Sequence, residues 1–317
     1  VTAASGGPVL RGVLLTLTAT VTYSTVGVSS RLAADAGLGI FPFLAWRALG
    51  ATIALVLGVT LATRAGLLRL PPAGAIPRAE QGRLVGAALA NIVITGAMML
   101  AFARIPVALG LILFYVHPAI VAVVSARRHG EPLTGRRIGA LALAFAGLLL
   151  VLVVPALGGG GIAVDPIGVA LALGAALLQA VYMLIAARGY PTIPSIVAVL
   201  TIMALSIPGN LLIAAGTGAL DELALPLGDP LFLALALGAG LVGAAIPATA
   251  LQAGLRRLGA TGATVLMMLE PVSAALLAFL LLGEQLAQVQ VLGGAMVVLG
   301  GMLLQLPERP VRARSAA

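Results

Sequence analysis

Residues Leu258 to Leu286 read LGATGATVLMMLEPVSAALLAFLLLGEQL. This is a membrane-length apolar run with one carboxylate, Glu270, near its middle and a helix-breaking proline, Pro271, directly after it. An ionisable group at bilayer depth costs about 2.5–3.5 kcal/mol on insertion scales, so it marks a functional site by default. The pattern occurs once before, in IPVALGLILFYVHPAIVAVVSARRHGEPL from Ile105 to Leu133. Pro118 and Pro271, Glu131 and Glu284, Arg104 and Arg257, and Gly147 and Gly300 are each 153 positions apart. Four matches in one register, without a gap, read as a duplication.

Composition gives the class. With 61% hydrophobic and 9% charged residues and a mean hydropathy of +1.16, the chain is an integral membrane protein and not a soluble globule. Its 317 residues suffice for about ten spans of ~20 residues with short loops. The apolar runs are continuous and lack the period-two alternation of a membrane β-barrel. The expected fold is therefore all-α, with spans near 11–30, 40–63, 84–103, 107–126, 135–155, 164–187, 194–216, 231–253, 259–282 and 287–306.

The net charge of +8 does not point to nucleic acid, because the arginines sit in short loops between spans. With the N-terminus inside, Arg11, Arg64, Arg69, Arg78, Arg83, Arg127, Arg128, Arg136, Arg137, Arg188, Arg256, Arg257 and the tail arginines are all cytoplasmic. Only Arg31 and Arg104 then fall outside, so both termini are expected in the cytoplasm. The Arg127, Arg128, Arg136, Arg137 cluster also suits anionic headgroups of the bilayer. Five spans per half is an odd number, so the second half enters from the opposite side. The expectation is two inverted five-helix repeats, an arrangement typical of secondary transporters. The repeats are assigned to 1–156 and 164–317, joined by a Gly-rich linker at 157–163. Their first spans also align, GVLLTLTATVTYSTVGVSSR (Gly12–Arg31) against GVALALGAALLQAVYMLIAAR (Gly168–Arg188), with one indel.

Absences narrow the chemistry. All 18 basic residues are arginine and there is no cysteine. That rules out a Walker A lysine, a Schiff-base lysine and thiolate chemistry, and leaves Gly158 to Gly161 as linker and not a phosphate cradle. No cofactor or metal is implied. The first apolar segment lacks a small-residue cleavage site and is expected to be a retained span.

The runs ALGAGLVGAAIPATALQAGLRRLGATGATVLMMLEPVSAALLAFLLLGEQL and QVLGGAMVVLGGMLL resemble the second EamA repeat of the drug/metabolite transporter superfamily. The resemblance rests on Pro118 and Pro271, the Gly130-Glu131 and Gly283-Glu284 pairs, Glu270-Pro271, and Arg47 in the second span. His117 departs from it, since the first repeat often carries an apolar or hydroxyl residue there. The resemblance implies a ten-span inner-membrane carrier exporting amino acids or other small metabolites. A drug or lipid translocator on the same fold is the alternative. An intramembrane enzyme is disfavoured, because neither a Gly-x-Ser-Gly nucleophile nor Asp-rich metal motifs occur.

Candidate site residues follow from depth. Glu270 lies about 16 Å into its span, near the midplane, where it can take up and release a proton. Alternatively it forms a buried ion pair with Arg47. Arg47, beside Trp46, can meet Glu270 or a substrate carboxylate, or snorkel to the interface. His117, the repeat mate of Glu270, is either a proton relay or a hydrogen-bonded packing residue. Pro118 and Pro271 free the carbonyls of Phe114 and Met267 from their helical partners. Polar strips carry Thr16, Thr20 and Tyr23 in span 1 and Gln179 and Tyr182 in span 6, with Asn91 in span 3. Such strips line an aqueous cavity or glue helices together. Met98, Met99, Phe102, Tyr115, Met267 and Met268 read for the most part as core packing, or as an adaptable apolar wall. Gly293-Gly294, Gly300-Gly301, Gly139 and Gly147 fit either a contact within the protomer or a homodimer seam. Glu131 and Glu284 read as caps of the following helices. The partners expected are a small-molecule substrate, protons and the lipid bilayer.

Overall fold

The computed structural model describes residues 6–72, 74–129, 134–157, 165–282 and 287–305. Glu131, Glu284, their neighbouring glycines Gly130 and Gly283, and the Gly158–Gly161 run lie outside the described residues. Every described element is helical, in the order α1 (Gly6–Tyr23), α2 (Thr25–Asp35), α3 (Ile40–Arg64), α4 (Arg78–Phe102), α5 (Val107–Phe114), α6 (His117–His129) and α7 (Gly135–Leu157). Then follow α8 (Pro166–Arg188), α9 (Ser195–Gly216), a 3-10 stretch Asp221–Gly228, α10 (Pro230–Gly240), a π-helical turn Leu241–Ala245, α11 (Ile246–Met267), α12 (Glu270–Leu282) and α13 (Gln288–Gln305).

Eight helical stretches among the described residues are long and apolar enough to cross a membrane, and two shorter apolar helices, Glu270–Leu281 and Gln288–Leu304, complete the series. The longest, Pro230–Met267, has 38 residues and would be about 57 Å if straight, against ~30 Å of hydrocarbon. It is not straight. Gly259 takes φ 76°, ψ 170° inside α11, a left-handed conformation open to glycine and strained for other residues. Large side chains such as Leu57, Leu61, Leu212, Leu280 and Met302 point outward and exposed, as a lipid-facing surface requires.

Helix breaks occur where the prolines require them. α5 ends at Phe114 and α6 starts at His117; α11 ends at Met267 and α12 starts at Glu270. In each case a two-residue break precedes the X-Pro pair, since proline lacks the N–H that would continue the ladder. A third break, at Ser24, separates α1 from α2. The Ser24 hydroxyl donates back to the Val21 carbonyl at 2.6 Å, the kind of back-bonding that bends helices.

Helices pack closely where small residues allow it. A Cβ on Gly147 of α7 would lie 2.4 Å from the Gly293 carbonyl oxygen, and one on Gly293 of α13 would lie 2.5 Å from that of Gly147. Gly300 approaches the Ala140 carbonyl at 2.7 Å in the same sense. These glycines therefore serve a contact within the chain, α7 against α13. Gly139 faces open space. A second pair of contacts is reciprocal between the two halves. Gly12 of α1 meets Leu258 and the Arg257 Cβ, while Gly168 of α8 meets Ile105 and the Arg104 Cβ.

Gly147→Leu should destabilise the protein by about 1–3 kcal/mol through overpacking, read as a lowered melting temperature in detergent. Gly139→Leu, at a position with nothing nearby, should leave it unchanged.

Candidate functional site

Glu270 opens α12 at the break that Pro271 imposes. The Glu270 side chain is half-buried. Three groups converge on it. The Tyr115 hydroxyl comes from the α5–α6 break and is oriented toward the carboxylate. Arg47 from α3 and Tyr23 from the end of α1 act on it through their fields. Tyr182 of α8 adjoins Tyr23. Arg47 and Glu270 do not form an ion pair within 4.0 Å.

Arg47 is held by something else. Its Nη1 donates to the Gly243 carbonyl at 3.0 Å, inside the π-helical turn. Gly243 stands four residues before Pro247, so Pro247 leaves that carbonyl without a helical donor, and the guanidinium supplies one. The Arg47 Nε is buried with no partner. Trp46 beside it is not a free belt aromatic, because its Nε1 donates to the Leu223 carbonyl at 3.2 Å.

His117 plays the same part at the other kink. Its Nδ1 lies 3.0 Å from the Phe114 carbonyl, the one Pro118 frees. A carbonyl can only accept, so Nδ1 carries the proton and donates. The imidazole is 2% exposed, packs against the Phe114 and Tyr115 rings, and leaves Nε2 without a partner. At the second kink, no side-chain donor reaches the Met267 carbonyl among the described residues. The Ala204 carbonyl, four residues before Pro208 in α9, is in the same state.

The other candidates divide. Gln179 is half-buried one turn before Tyr182, and neither makes a hydrogen bond among the described residues. Asn91 is used elsewhere: its Nδ2 donates to the Ser206 hydroxyl at 3.2 Å, tying α4 to α9. The threonine strip of α1 is turned inward on its own helix, with Thr16 donating to the Gly12 carbonyl at 2.9 Å and Thr20 to that of Thr16 at 2.8 Å.

A second polar cluster lies at the far end of α8. Glu80, 6% exposed, accepts from the Thr192 hydroxyl at 2.7 Å and the Thr192 N–H at 3.1 Å. Arg83 donates to the Gly189 carbonyl and Arg256 to that of Tyr190, both at 3.0 Å. The Tyr190 hydroxyl donates to Gln252 Oε1 at 3.2 Å. No spacing motif announces this cluster; a glutamate at the start of an apolar span, Glu80, is its one trace in the sequence. At the opposite end Asp165 caps α8 through the Ile167 N–H at 2.7 Å and meets Arg104 at 3.3 Å. The Ile167 N–H first, and Arg104 after it, hold this carboxyl below its ordinary range. A cleft of about 320 Å³ includes Tyr115 together with Ala119, Leu141 and Phe145, while two others lie away from Glu270. One of about 420 Å³ is lined by Leu15, Thr18, Leu55, Ile196 and Thr249; one of about 690 Å³ is lined by Arg83, Val124, Arg128, Leu177 and Arg188. Neither reaches Glu270.

His117→Ala should lower stability by about 1–2 kcal/mol by stranding the Phe114 carbonyl, measured as thermal unfolding in detergent. His117→Asn, whose amide can reach the same carbonyl, should recover most of the loss.

Known proteins agree with this architecture. A solved structure described only as a crystal structure of protein superposes with a TM-score of 0.66 at 19% identity, covering 92% of this chain and 96% of the other. At that identity the likeness is one of fold. No curated protein sequence matches significantly. The family model of the EamA-like transporters matches twice, over residues 10–153 and 166–306, and by that double match this multi-pass membrane protein belongs to the EamA-like transporter family, within the drug/metabolite transporters.

Proposed function

We propose that the chain is a proton-coupled secondary exporter of small zwitterionic metabolites such as amino acids, built as ten spans in two inverted repeats with both termini in the cytoplasm. The observation that carries the reading is the group around Glu270: a carboxylate and a guanidinium near each other at depth, both held by protein, and not paired. A zwitterion fits between them, with its carboxylate on Arg47, whose Nε is unpartnered, and its ammonium on Glu270. Burial of two unpaired charges is expensive, so a ligand that satisfies both binds with the desolvation cost already met by the fold.

Proton exchange follows from the same costs. A charged Glu270 at the midplane is relieved either by a proton or by the substrate ammonium, and the two exclude each other. Because Arg47 is anchored on the Gly243 carbonyl and lies beyond ion-pair distance, Glu270 is free to change its protonation state.

The inverted-repeat reading draws support from the reciprocal contacts. The Gly12 contact with Arg257 and Leu258 and the Gly168 contact with Arg104 and Ile105 are the same contact made twice, with the roles of the two halves exchanged. The ten-span count draws support from the Gly259 break, which divides a helix too long to cross once. In this orientation the Glu80, Arg83, Gln252 and Arg256 cluster closes the cytoplasmic end, joining α4 to the α8–α9 loop and α11.

Two experiments test the proposal. In vesicles, an imposed pH gradient should drive accumulation of neutral amino acids, and Glu270→Gln should abolish it without changing expression or melting temperature. Normal gradient-driven transport by that variant would refute the assignment. For orientation, cysteines at Leu67 and Thr217, both exposed in a cysteine-free chain, should label from opposite faces, Thr217→Cys from outside. Labelling of both from one face would overturn the topology.

A further inference from the structure

The two kinks share a plan and differ in their capping bonds. In the first, the Tyr115 N–H donates to Leu111 at 2.8 Å, the Val116 N–H donates to Leu113 at 3.3 Å, and the Phe114 carbonyl between them receives the His117 side chain at 3.0 Å. In the second, the Leu269 N–H donates to Leu266 at 3.1 Å, as Val116 does to Leu113, while the Met268 N–H donates to Val265 at 3.1 Å, one residue nearer than the Leu111 carbonyl is to Tyr115. The residues closing the two helices, Tyr115 (φ −73°, ψ 10°) and Met268 (φ −64°, ψ −12°), have nearly the same conformation. The Met267 carbonyl lies three residues before Glu270 in the chain, as that of Phe114 lies three before His117. The difference is chemical. His117 has an N–H to give; an ionised Glu270 has only acceptors.

We propose that Glu270, when protonated, donates its carboxyl O–H to the Met267 carbonyl, and that ionisation releases this bond. The kink carbonyl is then the internal acceptor of the coupling proton. The glutamate side chain is one bond longer from Cβ than the imidazole Nδ1, so reach is sufficient. Competing donors are few. The Thr20 hydroxyl lies 3.4 Å from the Met267 sulfur but gives its proton to the Thr16 carbonyl at 2.8 Å.

The α5–α6 break brings Tyr115 to Glu270, and Arg47 of α3 and Tyr23 of α1 lie near it. α12 packs on α1, α2 and α7, whose other titratable groups are Arg11 of α1, Arg31 and Asp35 of α2, and Arg136 and Arg137 of α7. The proton moves from water to a carboxylate oxygen, and the O–H bond then points at the carbonyl; no other bond forms or breaks. An unmade hydrogen bond in the apolar interior is costly, so the protonated side chain is drawn to the kink. The charged side chain leaves the kink, and an ammonium can then meet it.

The inference rests on the reading of Glu270 as the coupling residue, and its test can fail separately. The full chain, with methionines carrying a ¹³C backbone carbonyl, is placed in lipid nanodiscs and its infrared spectrum recorded as a function of pH. The Met267 band is identified by its loss in Met267→Leu. Lowering the pH should move that band to lower frequency as the protonated carboxyl stretch of Glu270 appears. In Glu270→Gln, whose amide donates at every pH, the band should sit at the low position throughout. In Pro271→Ala, where a backbone N–H takes the carbonyl, it should also cease to respond to pH. A carboxyl that titrates while the Met267 band stays fixed overturns the inference and leaves proton coupling standing. A pH-dependent band in a protein whose vesicles show no gradient-driven transport supports the cap and refutes the transport reading.

Discussion

A proline inside the membrane removes one N–H and strands one carbonyl where no bulk water can serve it. That single constraint orders the interior of this protein. Pro118 strands Phe114, and His117 answers it at 3.0 Å. Pro247 strands Gly243, and Arg47 answers it at 3.0 Å across two helices. Pro271 strands Met267, and the nearest side chain along the chain is Glu270, which cannot answer while ionised. The buried ionisable residues are thus not scattered charges carried at random into an apolar bundle. Two of them are the donors that make proline tolerable in the first place.

The functional reading grows from the remainder of that arrangement. Arg47 spends one of its N–H groups on the π-helical turn and keeps Nε unused; a guanidinium fixed in this way is oriented before any ligand arrives, which lowers the ordering cost of binding. Glu270 stands near it without closing an ion pair, so the site holds both charges of a zwitterion's complement at once. On the proposed reading the two halves, related by reciprocal glycine contacts at Gly12 and Gly168, expose this site alternately to each side.

Much of this was legible in the sequence, and the parts that were not have physical causes. The duplication, the helical class and the positions of the two kinks follow from apolar run lengths and from proline, whose backbone effect does not depend on context. The glycine pairs of α7 and α13 announced a close contact, yet sequence alone left open whether it lay within one chain; the geometry at Gly147 and Gly293 places it within. Partners across the bundle were the least legible. The rule that Pro frees the carbonyl four residues before it applies to Pro247 as it does to Pro118, but that Arg47 would arrive at Gly243 depends on how α3 packs. Tyr115, read as core packing or apolar wall, turns its hydroxyl toward Glu270 because the α5–α6 break rotates it inward. Asn91, open in the sequence between cavity lining and helix glue, ties α4 to α9.

The central claim is that one carboxylate exchanges a proton for an ammonium group. The direct measurement is proton release from detergent-purified protein in weakly buffered solution when alanine, leucine or threonine is added. Binding should release about one proton per site at a pH where Glu270 is protonated, and no proton from Glu270→Gln. Saturable binding of these amino acids with no proton released at any pH would contradict the account.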